Sequence, residues 1–446
     1  MHNKSFSLHI NSKIKSFKKK IEIDGDKSIS IRSFLIGSIS HDISEVKNVL
    51  ESEDVISTIN CLKKLGIKIL KIKAGHYRIF GKGLGSLFSG KKIVLNFGNS
   101  GTLARLLIGI LSTTPNINVK MIGDKSLNKR NMLKLLVIME QFGAEFFPKK
   151  KYNFPLSLVS SSMPVGINYT SGISAQLKSA VILAGLNSFG VTTINEKNKS
   201  RDHTEKILLK NKNIIKINKN IIKIFGKEKL DPLRLVVPGD PSSAAFFCAI
   251  TLLRKNSNLL IKKVGLNKRR IGFYLLLKKS GAKIKFLNIK KINNELVGDI
   301  YIQSSKIKPI KASSKYYPST ADEYPILFIL AGLTKGVSTF KGISDLSNKE
   351  SSRAHEIKKI LSQIGIKSQL KKDQIKIFGK DELNKGKIIR VGNLGDHRIC
   401  LAASCLSFIT GIKCNIKNFE TVNTSFPSYL KIIKKLGGKF EIKKNS

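Results

Sequence analysis

One pair of segments recurs six times along this chain and restricts its fold more than any other feature. The first segment is a mostly apolar helical stretch whose first turn is rich in Gly, Ser, Asp or Asn. Its copies begin at Asp26-Lys-Ser-Ile-Ser30, Gly98-Asn-Ser-Gly-Thr102, Ser174-Ala-Gln176, Gly239-Asp-Pro-Ser-Ser243, Asp322-Glu-Tyr-Pro325 and Gly395-Asp-His-Arg398. The second is a Lys-rich amphipathic helix that stops at a glycine and turns into a strand. It ends at Gly66, Gly143, Gly281, Gly365 and Gly437, and a weaker sixth copy has Asn213 in that slot. Glycine and asparagine both tolerate the left-handed backbone that ends a helix. A spacing of roughly 65–85 residues exceeds a solenoid unit, so each repeat is a small α+β module.

Each repeat reads as strand, buried helix, strand, amphipathic helix, then strand or hairpin. Strands are expected in Lys91–Asn96, Leu233–Val237 and Ile388–Val391, where β-branched residues cluster. The stretches Leu103–Leu111, Leu177–Leu186, Ala244–Leu253, Ile326–Leu333 and Ile399–Ile409 are apolar nearly all round. Such helices belong inside a domain, covered on every side. Amphipathic helices such as Asp54–Leu65 and Ala354–Leu361 form the outer layer, and Lys210–Lys223 and Ile289–Asn294 read as solvated hairpins. Six repeats make two domains of three, with the midpoint near Val237-Pro-Gly-Asp-Pro241.

Buried helices with donor-rich starts are ready anion sites. The charge balance fits an anionic ligand: 80 Lys and Arg against 30 Asp and Glu give +50. That charge also raises a nucleic-acid reading. The cations are overwhelmingly lysines spread over the whole chain and interleaved with Ile and Asn, the mark of an A/T-rich genome. A nucleic-acid binder concentrates them on one face beside stacking aromatics, whereas Trp is absent here. Against this background the twelve arginines are informative. Arg32, Arg105, Arg130, Arg201, Arg353 and Arg398 fall in the motif segments, and a guanidinium grips carboxylate or phosphate in two bonds as lysine cannot. Carboxylates at Asp322 and Glu350 lie among these cations, which points to proton transfer.

Other classes find no support. No apolar run is long enough to span a membrane, and Met1–Lys20 lacks a signal core. The five cysteines have no CxxC spacing and read as reduced thiols of a cytoplasmic protein. No cluster has metal-ligand spacing, and neither a P-loop nor a Rossmann turn is present. No metal or cofactor is expected.

Taken in order, Gly25-Asp-Lys-Ser-Ile-Ser, Gly98-Asn-Ser-Gly-Thr, Ser174-Ala-Gln-Leu-Lys-Ser, Ser200-Arg-Asp-His-Thr-Glu-Lys, Val237-Pro-Gly-Asp-Pro-Ser-Ser, Asp322-Glu-Tyr-Pro-Ile-Leu, Lys349-Glu-Ser-Ser-Arg and Gly395-Asp-His-Arg-Ile make the chain resemble the 5-enolpyruvylshikimate-3-phosphate synthase family. The resemblance runs from Gly25 to about Gly438. It implies an α+β (α/β) fold of two inside-out barrels, each of three βαβαββ repeats around buried parallel helices. The implied domains are 1–22 with 246–446, and 23–245, with the N-terminal strand joining the C-terminal domain and the active site in the cleft between them.

The implied reaction moves the enolpyruvyl group of phosphoenolpyruvate to the 5-hydroxyl of shikimate 3-phosphate, with no metal or cofactor, in a cytoplasmic enzyme expected to be a monomer. By motif match, Lys27, Ser28, Arg32, Ser174, Gln176, Arg201, Asp322 and Lys349 would bind shikimate 3-phosphate. Lys27, Gly101, Arg130, Gln176, Arg353 and Arg398 would bind phosphoenolpyruvate. Asp322 would be the base for the 5-hydroxyl, Glu350 the proton-transfer partner at the enol methylene, and Lys27 the donor to the leaving phosphate. Small Gly101 implies room for the herbicide glyphosate. Four positions depart from the family's usual pattern: Ile31, Asn131, Ser352 and Thr424 stand where His, Pro, Asp and, in some members, a phosphate-binding Lys are found. The related UDP-N-acetylglucosamine enolpyruvyl transferases often use a reactive cysteine after the second buried helix, but here no cysteine lies between Cys61 and Cys248.

Overall fold

A computed structural model describes residues 5–88, 90, 93–383 and 386–444. The described chain divides into two compact units. One comprises the described residues of Met1–Asp24, Gly239–Lys290 and Leu296–Ser446; the other is Gly25–Pro238 with Lys291–Glu295. The boundary expected at 245/246 would cut the helix Pro241–Leu253. The units part instead at Pro238/Gly239, ahead of that helix, because its apolar surface belongs wholly to one core.

Among the described residues, six four-stranded sheets have one strand order repeated six times. In a representative repeat, Ile93–Asn96 runs parallel to Asn118–Ile122, which is antiparallel to Leu156–Val159, itself antiparallel to Glu145–Phe147. The parallel pair is bridged by the helix Gly101–Thr113, as a parallel connection requires. Lys91 and Lys92, at the start of the expected strand, lie outside the described residues. Two sheets in the C-terminal unit are completed by N-terminal strands rather than one. Phe6–Ile10 pairs with Cys414–Ile416 and Glu441–Lys444, and Lys18–Ile21 lies parallel to Asn258–Gly265. The other unit closes on itself, with Arg234–Val236 joining His41–Lys47 of its first repeat.

The six buried helices are Lys27–Ile39, Gly101–Thr113, Ala175–Leu186, Pro241–Leu253, Tyr324–Gly332 and His397–Thr410. Three lie in each of two separate cores. All nine residues of Tyr324–Gly332 are buried. Helices inside and sheets outside make each unit an inside-out α/β barrel. No helix among the described residues is long and apolar enough to cross a membrane.

The glycine stops act through one backbone device. Gly66, Gly143, Gly281, Gly365 and Gly437 all have φ between 79° and 94°. The next residue's N–H then reaches a carbonyl five residues back, as in Ile67 to Leu62 (3.0 Å) and Gly438 to Ile433 (2.9 Å). This bond satisfies an otherwise orphaned helix-end carbonyl. Asn213 departs from the series. It is not among the residues with positive φ, and the helix before it, His203–Leu208, is only six residues long. That short helix turns through Leu209, whose N–H bonds to the Glu205 carbonyl at 2.8 Å, so the left-handed stop is not needed.

Gly437 isolates the backbone term, because nothing lies within 4 Å of where a Cβ would stand, while its φ is +86°. Gly437→Ala is therefore expected to cost about 1 kcal/mol. Gly172→Ala, also open but without a positive φ, should change stability by less than about 0.5 kcal/mol or raise it slightly. Urea unfolding of the two variants checks the difference.

Candidate active site

Every buried helix starts with a polar residue, but the starts are not equivalent. Asp26, Asp240 and Asp396 cap their helices with carboxylates that accept backbone N–H bonds. Those ends already hold a negative charge. Glu323 precedes Tyr324–Gly332 without a side-chain cap bond. Only Ser100 and Ser174 cap with neutral hydroxyls, accepting from Leu103 and Leu177. The anion-ready starts thus narrow from six to the two at Gly101 and Ala175, both in the unit Gly25–Pro238.

These two starts are tied together. Gln176 donates from Nε2 to Thr102 Oγ1 (2.9 Å) and accepts at Oε1 from Arg105 Nη1 (2.8 Å), which also donates to the Gly101 carbonyl (3.0 Å). Arg130 Nη2 donates to Asn99 Oδ1 at 3.1 Å. Both guanidinium groups converge on Gly101: a Cβ there would stand 2.7 Å from Arg105 Nη1 and 2.8 Å from Arg130 Nη1. Two cations meeting at a neutral-capped helix start suit a small dianion or trianion.

The remaining expected residues of this unit are placed by long-range contacts. Lys27 Nζ lies 3.1 Å from Asp54, a largely buried carboxylate in the first turn of the helix Glu53–Lys64. Arg32 is buried, with Nε donating to Thr204 Oγ1 (2.8 Å) and Nη2 to Ser179 Oγ (3.0 Å). Its Nη1 donates to the Ser28 carbonyl (3.0 Å), so Ser28 meets Arg32 through its backbone. Arg201 sits half-buried just ahead of His203–Leu208. That helix is anchored by Glu295, which lies 2.6 Å from His203 Nδ1 and 2.9 Å from Lys206 Nζ. Burial alone would raise the Glu295 pKa, but His203 and Lys206 outweigh it and hold it below the ordinary value.

The C-terminal unit carries Asp322, Lys349, Glu350, Arg353 and Arg398. Arg353 is their hub, 2% exposed and surrounded by three carboxylates. Nε is 3.0 Å from Asp396, Nη2 is 2.5 Å from Glu350, and Nη1 is 3.6 Å from Asp322. Burial alone would lower the Arg353 pKa; Asp396, Glu350 and Asp322 override it and keep the guanidinium charged. Nη1 is buried and makes no hydrogen bond, its contact with Asp322 being an ion pair at 3.6 Å. Asp396, fully buried, also accepts from Arg398 N (3.0 Å), so one carboxylate holds the Arg353 guanidinium and the backbone of Arg398. The Arg398 guanidinium lies 5.9 Å from the Phe246 ring centroid, and its buried Nε makes no hydrogen bond. Lys349, expected beside Asp322, pairs with Asp345 at 2.7 Å.

The motif reading gave no role to Arg105, Asp54, Glu295 or Asp396. Arg105 and Asp396 lie inside recognised motifs, Arg105 one helical turn from Gly101, and this spacing was the available signal. Asp54 and Glu295 carried none. The departures from the family pattern are absorbed locally. Ile31 is fully buried core, and Asn131 Oδ1 accepts from Leu133 N (2.7 Å) at the next helix start. Ser352 is the cap residue of Arg353–Gln363, without a side-chain cap bond. Thr424 is buried and donates to the Thr421 carbonyl at 2.8 Å. A basic cavity of about 340 Å³ beside Lys206, Arg234 and Lys291 contains none of the expected site residues. All five cysteines are buried and free, and burial pushes the Cys61 and Cys405 thiols up to about 12, so they are poor nucleophiles.

The fold is that of the enolpyruvyl transferases. The crystal structure of the enolpyruvyl transferase NikO from Streptomyces tendae matches with a TM-score of 0.75 over 100% of both chains, at 11% identity. A family model described as EPSP synthase (3-phosphoshikimate 1-carboxyvinyltransferase) matches residues 11–433, and the chain belongs to that family. The 3-phosphoshikimate 1-carboxyvinyltransferase of Zymomonas mobilis is 35% identical over 95% of either chain. That of Bacillus subtilis is 35% identical over 96% of this chain and 99% of its own. A solved EPSP synthase from Acinetobacter baumannii has a TM-score of 0.85 at 33% identity, covering 98% of this chain and 100% of its own.

Removing Arg353 would leave its three carboxylates facing one another. Arg353→Met is expected to lower stability by about 3 kcal/mol or more, whereas Lys349→Met, at a partly exposed pair, should cost under about 1 kcal/mol. Chemical denaturation of both variants at neutral pH measures the contrast.

Proposed function

We propose that this chain transfers the enolpyruvyl group of phosphoenolpyruvate to the 5-hydroxyl of shikimate 3-phosphate and releases phosphate, a step of chorismate and aromatic amino acid biosynthesis. The observation that carries the reading is the convergence of Arg105 and Arg130 on Gly101, in a chain matching the family over residues 11–433. In this reading Arg130, with Gly101, Gln176 and Lys27, holds phosphoenolpyruvate together with Arg353 and Arg398. Ser28, Arg32, Ser174, Gln176 and Arg201 hold shikimate 3-phosphate, with Lys27, Asp322 and Lys349.

The chemistry is addition followed by elimination. Asp322 takes the proton of the attacking 5-hydroxyl, which adds to the enol carbon, and Glu350 manages the proton at the methylene. Lys27 protonates the departing phosphate. Support comes from Arg353, which holds both carboxylates, Asp322 at 3.6 Å and Glu350 at 2.5 Å. A shared cation fixes the geometry of an acid–base pair, and positioned cations stabilise the anionic intermediate. We place the enzyme in the cytoplasm as a monomer, working without metal or cofactor.

Phosphate release from purified protein given both substrates tests the reaction. Release only when UDP-N-acetylglucosamine replaces shikimate 3-phosphate would overturn it. Glyphosate is expected to inhibit the enzyme competitively with phosphoenolpyruvate. In Gly101→Ala the added methyl must displace two guanidinium ends at 2.7 and 2.8 Å. The glyphosate inhibition constant should rise by about tenfold or more, a loss of about 1.4 kcal/mol of binding, with a smaller rise in KM for phosphoenolpyruvate. Unchanged inhibition would refute the placement of Gly101.

A further inference from the structure

We infer that Lys178 is a positioning residue for the shikimate 3-phosphate subsite, acting through a buried double clamp; this rests on the reading proposed above. Lys178 lies one turn into the helix Ala175–Leu186 and is 0% exposed. Its Nζ is 2.6 Å from Glu196 and 2.6 Å from Glu205, carboxylates that are also almost fully buried. A lone lysine is strongly disfavoured in such a place, and a single carboxylate would have neutralised it. Lys199 Nζ, 3.5 Å from Glu196, balances the second carboxylate, and burying charges this deeply is costly and calls for a reason beyond stability.

That reason is the arrangement of the elements it joins. Glu196 ends the strand Val191–Glu196, and Glu205 lies on His203–Leu208. Between them runs the segment carrying Ser200 and Arg201. Glu196 Oε1 accepts from both the N–H (2.9 Å) and the hydroxyl (3.3 Å) of Ser200, immediately before Arg201. One residue along, a second rung crosses between the same two helices: Thr204 Oγ1 donates to Ser179 Oγ at 2.8 Å. Arg32 is locked onto this rung by its bonds to Thr204 and Ser179. Lys178 therefore fixes the spacing of the elements bearing Ser174, Gln176, Arg201 and Arg32. Ion-paired charge clusters in a low-dielectric interior hold position stiffly, because any displacement unpairs a buried charge.

The sign of one substitution separates positioning from through-space electrostatics. Glu205→Gln removes a negative charge near an anionic substrate, so a purely electrostatic effect would lower KM for shikimate 3-phosphate. Loosening the clamp would raise it. Glu205→Gln is expected to raise KM for shikimate 3-phosphate about fivefold, with KM for phosphoenolpyruvate within twofold of the parent. Lys178→Met is expected to raise the former tenfold or more. Lys178→Met leaves the buried Glu205 without its cation, so Glu205→Gln, which keeps shape and hydrogen-bonding capacity, serves if that variant fails to fold. An unchanged or lowered KM for shikimate 3-phosphate in folded Glu205→Gln would overturn the proposal, as would an equal rise for both substrates. Calorimetric titration of the parent protein with shikimate 3-phosphate keeps the two readings apart: no binding there sinks the proposed function itself, whereas parent binding with undiminished variant binding sinks only the role of Lys178.

Discussion

The structure depends on the burial of helices that are apolar on every side. Such a helix cannot rest on a surface, since any face turned to water exposes hydrocarbon. The repeated strand–helix–strand–helix–hairpin unit answers this constraint by placing three of these helices in one core and sheets around them. Closing the enclosure takes strands from distant parts of the chain. Arg234–Val236 completes the sheet of the first repeat in one unit, and two N-terminal strands complete sheets of the other. The amphipathic helices and their glycine stops provide the tight return from helix to strand that the arrangement requires.

Burying a helix also buries its ends, where backbone donors must find partners. Here the same requirement generates chemistry. Three ends are closed by aspartate, and their donors are satisfied within the protein. The two closed by serine keep a positive character, and there Arg105, Arg130 and Gln176 gather. In the other unit the central cation meets carboxylates instead. Arg353 is embedded among three carboxylates, and this makes an acid–base cluster rather than a simple anion clamp. Lys178 follows similar logic deeper in the interior, as a charge whose partners define the distance between elements.

Much of the fold was legible because its determinants are local. Gly66, Gly143, Gly281, Gly365 and Gly437 each stop a helix by a backbone geometry that neighbouring residues cannot replace. Asn213 was misread because residue type alone does not reveal that the preceding helix has already ended at Leu208. The domain boundary near residue 245 was misplaced for a similar reason: local sequence marks a turn, but only packing decides which core claims the helix that follows. Within the candidate site, residues in motifs were recoverable. Lys27 and Arg32 were legible as cations, but not their partners Asp54 and Thr204, which are held by contacts remote in sequence.

By itself, then, the sequence determined the repeat, the inside or outside location of each helix, the helix stops and the supply of scarce arginines among abundant lysines. These follow from periodicity, backbone stereochemistry and residue chemistry, all readable within a few turns of chain. Tertiary structure decided which helix starts remain open to an anion, which carboxylates surround Arg353, and that Lys178 is a buried tie rather than one more surface cation. Those outcomes depend on which charges meet in a low-dielectric interior. Long-range packing sets those distances, and in such surroundings small changes in distance carry large energies.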